Sequence, residues 1–142
     1  MRKRIGMMTT LLCFFVAAWS GEPVVFETGE TKVSVEFYAP GIVRVLKAPV
    51  GHQYQKQSLV VIAQPQEVKV TKKGNTLQSS ELTVRVDPKT GAVTFIGGGK
   101  TLLREQSCSF EARETGPDAG SYRVTQRFTL DPNEAIYVLG IV

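Results

Sequence analysis

The sequence predicts an all-β protein, an antiparallel β-sandwich that follows an export signal. From residue 22 onward, short runs of the chain carry an apolar residue at every second position, which is the period of a half-buried strand. Glycine, proline, asparagine and aspartate cluster between these runs, as turn residues do. About ten short strands at this spacing, with no helical period longer than one turn, are typical of a β-sandwich.

The first 20 residues have the pattern of a secretory signal peptide. Residues 2–4 are basic, residues 11–19 are apolar, and residues 20–21 are small, which is the order of the three regions of an export signal. The apolar run is nine residues long, whereas a membrane helix needs about 20. An export signal is therefore favoured over the alternative, a transmembrane anchor. Cleavage after Ser20 leaves residues 21–142 as one exported domain, periplasmic or extracellular, without a stable membrane anchor.

Removal of the signal changes both the charge and the cysteine count. Three of the 17 basic residues lie in the signal, so 14 remain against 13 acidic residues. A basic surface for nucleic acid is therefore not expected. Cys13 leaves with the signal, which leaves Cys108 without a partner for an internal disulfide. We expect its side chain to be a small buried apolar group.

The alternation and the turn residues predict two hairpins. Alternation at Val33, Val35 and Phe37 indicates a strand that returns through residues 42–46 after Pro40 and Gly41. The clearer hairpin joins residues 82–86 to residues 92–96 through a turn at 87–91.

That turn has favourable chemistry at three positions. Pro88 presets φ for a type I turn, Asp87 can accept hydrogen bonds from the turn backbone, and Gly91 can take a positive φ. Further strands are predicted at residues 58–62, 68–71, 102–105, 109–113 and 122–130.

The sequence offers no catalytic, metal or cofactor motif. Gly99-Lys100-Thr101 lacks the first glycine of a phosphate-binding loop and joins two strands, so a plain turn is expected. His52 lies in a polar stretch without a second anchor for a metal or a serine–histidine pair, so a solvated loop residue is expected. A glycosidase needs two carboxylates across a pocket, but the acids fall in turns or on the polar phase of strands. They include Glu81, Asp87, Glu111, Glu114, Asp118, Asp131 and Glu134. We therefore expect no catalytic residue, no metal site and no cofactor.

Sugar-binding surfaces present an aromatic ring to the apolar face of a pyranose, with polar groups for the hydroxyls. The single tryptophan, Trp19, lies in the signal, so the candidates with a polar tip are Tyr38, Tyr54, Tyr122 and Tyr137. Tyr54, in a glutamine-rich loop, is the candidate carbohydrate-binding residue. The simpler alternative is a tyrosine at the rim of the domain.

The chain finishes with residues 134–142, EAIYVLGIV, which after Glu134 are apolar up to the last residue. A chain that stops inside an apolar stretch indicates a domain that is incomplete at its C-terminal end. The alternative is a last strand that completes the sandwich.

Three stretches resemble the N-terminal domain of family 31 glycoside hydrolases, the α-glucosidase and α-xylosidase group. Residues 126–140, QRFTLDPNEAIYVLG, are similar to the end of that domain, where a phenylalanine, a leucine and a glutamate precede Tyr-Gly-Leu-Gly. Residues 35–45 and 87–95 resemble its opening and central hairpins, so the likeness covers roughly residues 24–140. Val138 stands where the family usually has glycine, and Ile141 where glutamine is common. A frameshift or a mis-called stop just before them would explain both departures.

The resemblance implies a galactose-mutarotase-like β-sandwich that packs against a catalytic (β/α)8 barrel. Both catalytic aspartates of the family come from that barrel, and no position here matches either motif. The expected function is that of a non-catalytic domain of an exported enzyme that acts on α-glucosides or α-xylosides. One alternative is a stand-alone secreted domain that binds oligo- or polysaccharides with α-linked sugars or serves as a surface scaffold. A weaker alternative is an adhesin-like structural domain.

Overall fold

The computed structural model describes residues 16–19, 22–52 and 61–134. These residues form two antiparallel sheets and contain no helix. The strands are β1 (Val16–Trp19), β2 (Val24–Thr28), β3 (Thr31–Ala39), β4 (Ile42–Pro49), β5 (Lys69–Lys73), β6 (Thr76–Gln78), β7 (Leu82–Val86), β8 (Val93–Gly97), β9 (Lys100–Ala112) and β10 (Tyr122–Thr129). The prediction of an all-β, antiparallel protein is confirmed.

The smaller sheet contains three strands in the order β2-β3-β4. Along β3 the odd-numbered residues from Thr31 to Phe37 are buried, and the residues between them are half-buried. The alternation of apolar and polar residues decides this orientation, because successive side chains of a strand point to opposite faces. The predicted first hairpin is confirmed, since β3 and β4 pair on either side of Pro40 and Gly41.

The larger sheet contains seven strands in the order β1-β5-β6-β7-β8-β9-β10. The predicted hairpin between β7 and β8 is confirmed. Asp87 closes its turn, because its Oδ1 accepts hydrogen bonds at 2.8 Å from the amides of Lys89 and Thr90. Gly91 has a φ of +68°, the left-handed conformation that favours glycine.

Residues from both sheets form one hydrophobic core. The buried apolar side chains of the three-stranded sheet, those of β5 to β8, and Val68 just before β5 belong to a single cluster. Each fully buried valine or leucine contributes roughly 1.5–3 kcal/mol. The members of the cluster are Phe26, Val33, Val35, Phe37, Val68, Val70, Leu77, Leu82, Val84, Val86 and Val93.

Three of the strand predictions are wrong in part. Val61 and Ile62 belong to no strand, and Ile62 is 89% exposed; residues 58–60 lie outside the described residues. Residues 102–105 and 109–113 were predicted as two strands, but β9 runs unbroken through Lys100–Ala112. Its register against β10 shifts between Arg127 and Phe128. A β-bulge at this point adds a residue and inverts the phase of the alternation without ending the strand.

Part of the predicted export signal takes part in the larger sheet. Val16–Trp19 pairs antiparallel with β5, whereas the rest of residues 1–20 lies outside the described residues. Cleavage after Ser20 would remove this strand from the sheet. The part of the chain that the structure describes has no helix long and apolar enough to cross a membrane.

Candidate functional site

A buried ion pair joins the two sheets. Lys47 of β4 follows Val43 and Val45 on the inward phase of its strand, and Glu105 of β9 points inward from the larger sheet. The Lys47 Nζ atom pairs with Glu105 Oε2, and the two side chains are only 7% and 1% exposed. Such burial is costly unless both charges are paired and hydrogen-bonded.

Both charged groups have further hydrogen-bond partners. Lys47 Nζ donates to the carbonyl oxygen of Gly91 at 2.7 Å. The Val93 amide donates to Glu105 Oε2 at 2.8 Å, and Gln126 Nε2 donates to Glu105 Oε1 at 3.0 Å. Both oxygens of the carboxylate are therefore occupied. This arrangement stabilises the packing of the two sheets, and the carboxylate, with its side chain 1% exposed, is not accessible to a substrate.

Cys108 lies beside this pair, opposite Gln126 on the neighbouring strand. It is half-buried rather than fully buried, which corrects the expectation of a core side chain. Partial burial raises the pKa of its thiol, and the nearby Lys47 opposes that rise. A thiol with a raised pKa is a poor nucleophile at neutral pH.

A groove of about 560 Å³ runs between the Gly29–Thr31 turn, the end of β4, the C-terminal half of β9 and the start of β10. At its edge, Tyr122 Oη lies 2.8 Å from His52 Nε2, and the two rings meet edge to face with centroids 5.2 Å apart. His52 is exposed, as predicted. Its contact with Tyr122 was not predicted, because the two residues are 70 positions apart.

A second recess, of about 350 Å³, lies at the turn of the first hairpin. It is lined by the Tyr38 ring, by Ile42 and Val43, and by the polar residues Arg44 and Gln64, among others. Arg44 Nη1 donates a hydrogen bond to Tyr38 Oη at 3.2 Å, which holds the phenol in place. An aromatic ring and aliphatic groups beside a few polar groups suit the amphipathic surface of a sugar.

The structure describes two of the four tyrosines that are candidates for sugar binding. Tyr54, the preferred candidate, and Tyr137 lie outside the described residues. Tyr38 lines the recess at the first hairpin, and Tyr122 lines the groove at the other end of β4. The structure thus does not bring Tyr38 and Tyr122 into one site. The sequence signal for the Tyr38 recess was the tyrosine and arginine on either side of the Pro40-Gly41 turn.

On the face of the β9–β10 hairpin that carries the buried pair, two apolar residues of β10 are exposed to solvent. Val124 lies opposite Phe110, and Phe128 lies opposite Glu105, so all four side chains share the face that carries the buried pair. Val124 is 57% exposed and Phe128 is 41% exposed. Gln126 lies between these two residues on the same face.

Comparison with protein-family models, curated proteins and solved structures finds no match to this chain. The residues and their geometry therefore carry the functional inference. Within residues 16–19, 22–52 and 61–134, no group of three or more His, Cys, Asp or Glu residues is placed to hold a metal ion.

Proposed function

We propose that residues 21–142 belong to the non-catalytic N-terminal domain of an exported family 31 α-glycosidase that acts on α-glucosides or α-xylosides. The domain would have the galactose-mutarotase-like β-sandwich of that family. The observation that carries the proposal is the pair of exposed apolar residues of β10, Val124 and Phe128, because the family-like stretch starts within this strand, at residue 126. A domain that packs against a catalytic (β/α)8 barrel needs apolar residues to bury against it.

The chemistry of the buried acid supports a non-catalytic role. Glu105 is the one acidic residue buried among those the structure describes, and hydrogen bonds or the ion pair occupy both of its oxygens. A glycosidase acid or nucleophile must reach the sugar. In the proposed enzyme, the catalytic carboxylates come from the barrel.

Hydrolysis assays test the non-catalytic role directly. Purified residues 21–142 should release no product from aryl α-glucosides or aryl α-xylosides at any pH at which they stay folded. Turnover that persists after further purification, and that falls when Glu105 is replaced by glutamine, would contradict the proposal.

The exported location has its own test. The protein recovered from outside the cytoplasm should begin at Gly21, because the signal is removed after Ser20. A product that retains Met1 in the cytoplasm would contradict this part of the proposal.

The Tyr38 recess favours a second candidate function, a stand-alone secreted carbohydrate-binding domain. Its ligands would be oligo- or polysaccharides with α-linked sugars, and Tyr54 remains a proposed contact. Binding to a panel of α-glucans and xyloglucan fragments distinguishes this function from a scaffold without sugar preference. Tyr38→Leu should weaken binding about tenfold, since an aromatic contact contributes roughly 0.5–1.5 kcal/mol beyond its buried area.

Two further variants complete the binding test. Tyr54→Leu should also weaken binding if the glutamine-rich loop contacts the sugar. Tyr122→Leu, in the separate groove, is the matched control and should leave the affinity unchanged. Equal affinity in all three variants and the parent chain would exclude both tyrosines as sugar contacts.

A further inference from the structure

A row of basic and threonine side chains crosses the outer face of the larger sheet, the face directed away from the core. Arg85 shows the orientation: its neighbours Val84 and Val86 are buried, and successive side chains of a strand point to opposite faces. The registers of β5 to β10 place the members of the row side by side, with a basic residue on every second strand. We call these six residues the basic row: Lys73, Thr76, Arg85, Thr94, Arg104 and Thr129.

The three cations of the basic row are available to an external anion. Lys73, Arg85 and Arg104 are exposed, and neither of the ion pairs within the described residues includes them. The outward-facing residues of β5 to β8 include no aspartate or glutamate. Asp87, two residues beyond Arg85, accepts hydrogen bonds from the amides of its own turn.

Positive charge is concentrated on this face rather than spread over the chain. After residue 20 the basic and acidic residues nearly balance, at 14 and 13. Within strands β5 to β10, however, the outer face carries one acid, Glu111, which lies opposite Arg123 at the far end of β9. Six basic residues share that face: Lys69, Lys73, Arg85, Arg104, Arg123 and Arg127.

The spacing of the basic row suits a linear polymer of charged sugars. Neighbouring strands lie about 4.8 Å apart, so successive cations of the row are about 10 Å apart and the whole row extends over about 24 Å. Guanidinium groups bind carboxylates through two parallel hydrogen bonds. The threonine hydroxyls between the cations can donate to and accept from sugar hydroxyls. The row therefore alternates the two kinds of contact that an acidic polysaccharide offers.

Other polyanions fit this face less well. Proteins that bind single-stranded nucleic acids stack the bases on aromatic side chains, and in β5 to β10 the outward-facing residues include no aromatic one. Binding to an anionic membrane is strengthened by apolar side chains that enter the interface. The exposed apolar residues of β10, Val124 and Phe128, lie on the opposite face of the sheet.

We propose that the basic row binds a linear acidic polysaccharide. Carboxylates of the polymer would contact Lys73, Arg85 and Arg104, and its hydroxyls would contact the threonines between them. The polymer would run across the strands rather than along them. Because the row lies on the face opposite to Val124 and Phe128, this inference does not rest on the proposed enzymatic family.

Binding of polygalacturonate to the full chain tests the proposal. The fully methyl-esterified polymer keeps the sugar backbone without the charge and is the control ligand. Calorimetric titration should detect binding of the acidic polymer and not of the ester, and the affinity should fall as salt rises from about 50 mM to about 200 mM. Equal binding of the two polymers, or binding of neither, would overturn the proposal.

A variant without the three cations locates the site. Lys73→Gln/Arg85→Gln/Arg104→Gln should weaken the binding of polygalacturonate by about tenfold or more, because three charged contacts are lost. The substituted residues are exposed, and circular dichroism checks that the variant folds. Affinity equal to that of the parent chain would overturn the assignment of the site.

The matched control removes three cations outside the row, through Lys32→Gln, Lys100→Gln and Arg113→Gln in one chain. Its net charge equals that of the row variant, and its affinity should stay within about twofold of the parent value. An equal loss in both variants would overturn the proposal, since net charge alone would then explain binding. Tighter binding of a single-stranded oligonucleotide, or of phosphatidylserine vesicles, that is lost in the row variant would also overturn it.

Discussion

Replacing Lys47 by methionine removes the positive charge that pairs with the buried Glu105 carboxylate. Methionine keeps most of the length and apolar contact of the lysine stem. The variant therefore measures the contribution of the charge separately from that of the apolar contacts. The Glu105 side chain, 1% exposed, cannot reach water without disrupting the packing between the sheets.

The expected cost follows from the partners that remain. Loss of one member of a buried pair typically costs about 3–5 kcal/mol. Glu105 keeps hydrogen bonds from the Val93 amide and Gln126 Nε2, so we expect about 3 kcal/mol. That is a large share of the roughly 5–15 kcal/mol by which domains are stable. Adding Glu105→Gln removes the uncompensated charge and should recover about 1–2 kcal/mol.

Urea unfolding followed by far-UV circular dichroism measures these differences. The exposed pair of Arg113 and Asp118, whose charged atoms are 3.6 Å apart, provides a matched control. Arg113→Met should cost less than about 1 kcal/mol, because solvent screens an exposed pair. A Lys47→Met variant no less stable than Arg113→Met would refute the reasoning, as would a double variant no more stable than Lys47→Met alone.

Three further predictions concern the turn of the second hairpin and the single thiol near the core. Gly91→Ala should lower the free energy of unfolding by about 2 kcal/mol more than Gly74→Ala does, as measured by urea unfolding. Both glycines have a positive φ. A Cβ at position 91 would lie 2.6 Å from Thr28 Oγ1, whereas a Cβ at position 74 would meet no atom within 4 Å. Equal costs would contradict the steric argument. Hydrogen bonds from turn amides hold the pKa of Asp87 below its usual value. The stabilisation by the Asp87 carboxylate is therefore present above the pKa of the unfolded chain and is lost as the pH falls through the pKa of the folded protein. Between about pH 5 and pH 3, the urea midpoint of Asp87→Asn should fall less than that of the parent chain, and a parallel fall of the two midpoints would refute this. Burial raises the pKa of the Cys108 thiol, so with the signal cysteine replaced by serine, iodoacetamide at pH 8 should label the folded protein several-fold more slowly than the urea-unfolded chain. Equal labelling rates would count against the raised pKa.

The strands of the core could be predicted because their apolar alternation is regular. Val33, Val35 and Phe37 keep one phase along β3, and the 82–96 hairpin adds turn residues with defined conformations. The unbroken length of β9 could not be predicted in the same way. Its bulge inverts the phase between Glu105 and Cys108, and such an inversion looks like the end of one strand and the start of another.

The sequence carries a signal of the buried ion pair. Lys47 follows Val43 and Val45 on the inward phase of β4, and Glu105 shares the phase of Leu103 on β9. A base and an acid on inward phases of different strands are candidates for a buried pair. Which strands face each other is decided by the packing of the sheets, and alternation within single strands does not specify it. The same reason explains why the contact between His52 and Tyr122 was not predicted.

Reading the gene past codon 142 in all three frames tests the central claim most directly. If the chain belongs to a family 31 α-glycosidase, the DNA downstream should encode alternating strands and helices of a (β/α)8 barrel with an aspartate at the end of a strand. An intact terminator directly after codon 142, with no barrel in any frame, would contradict the claim and favour the stand-alone carbohydrate-binding domain.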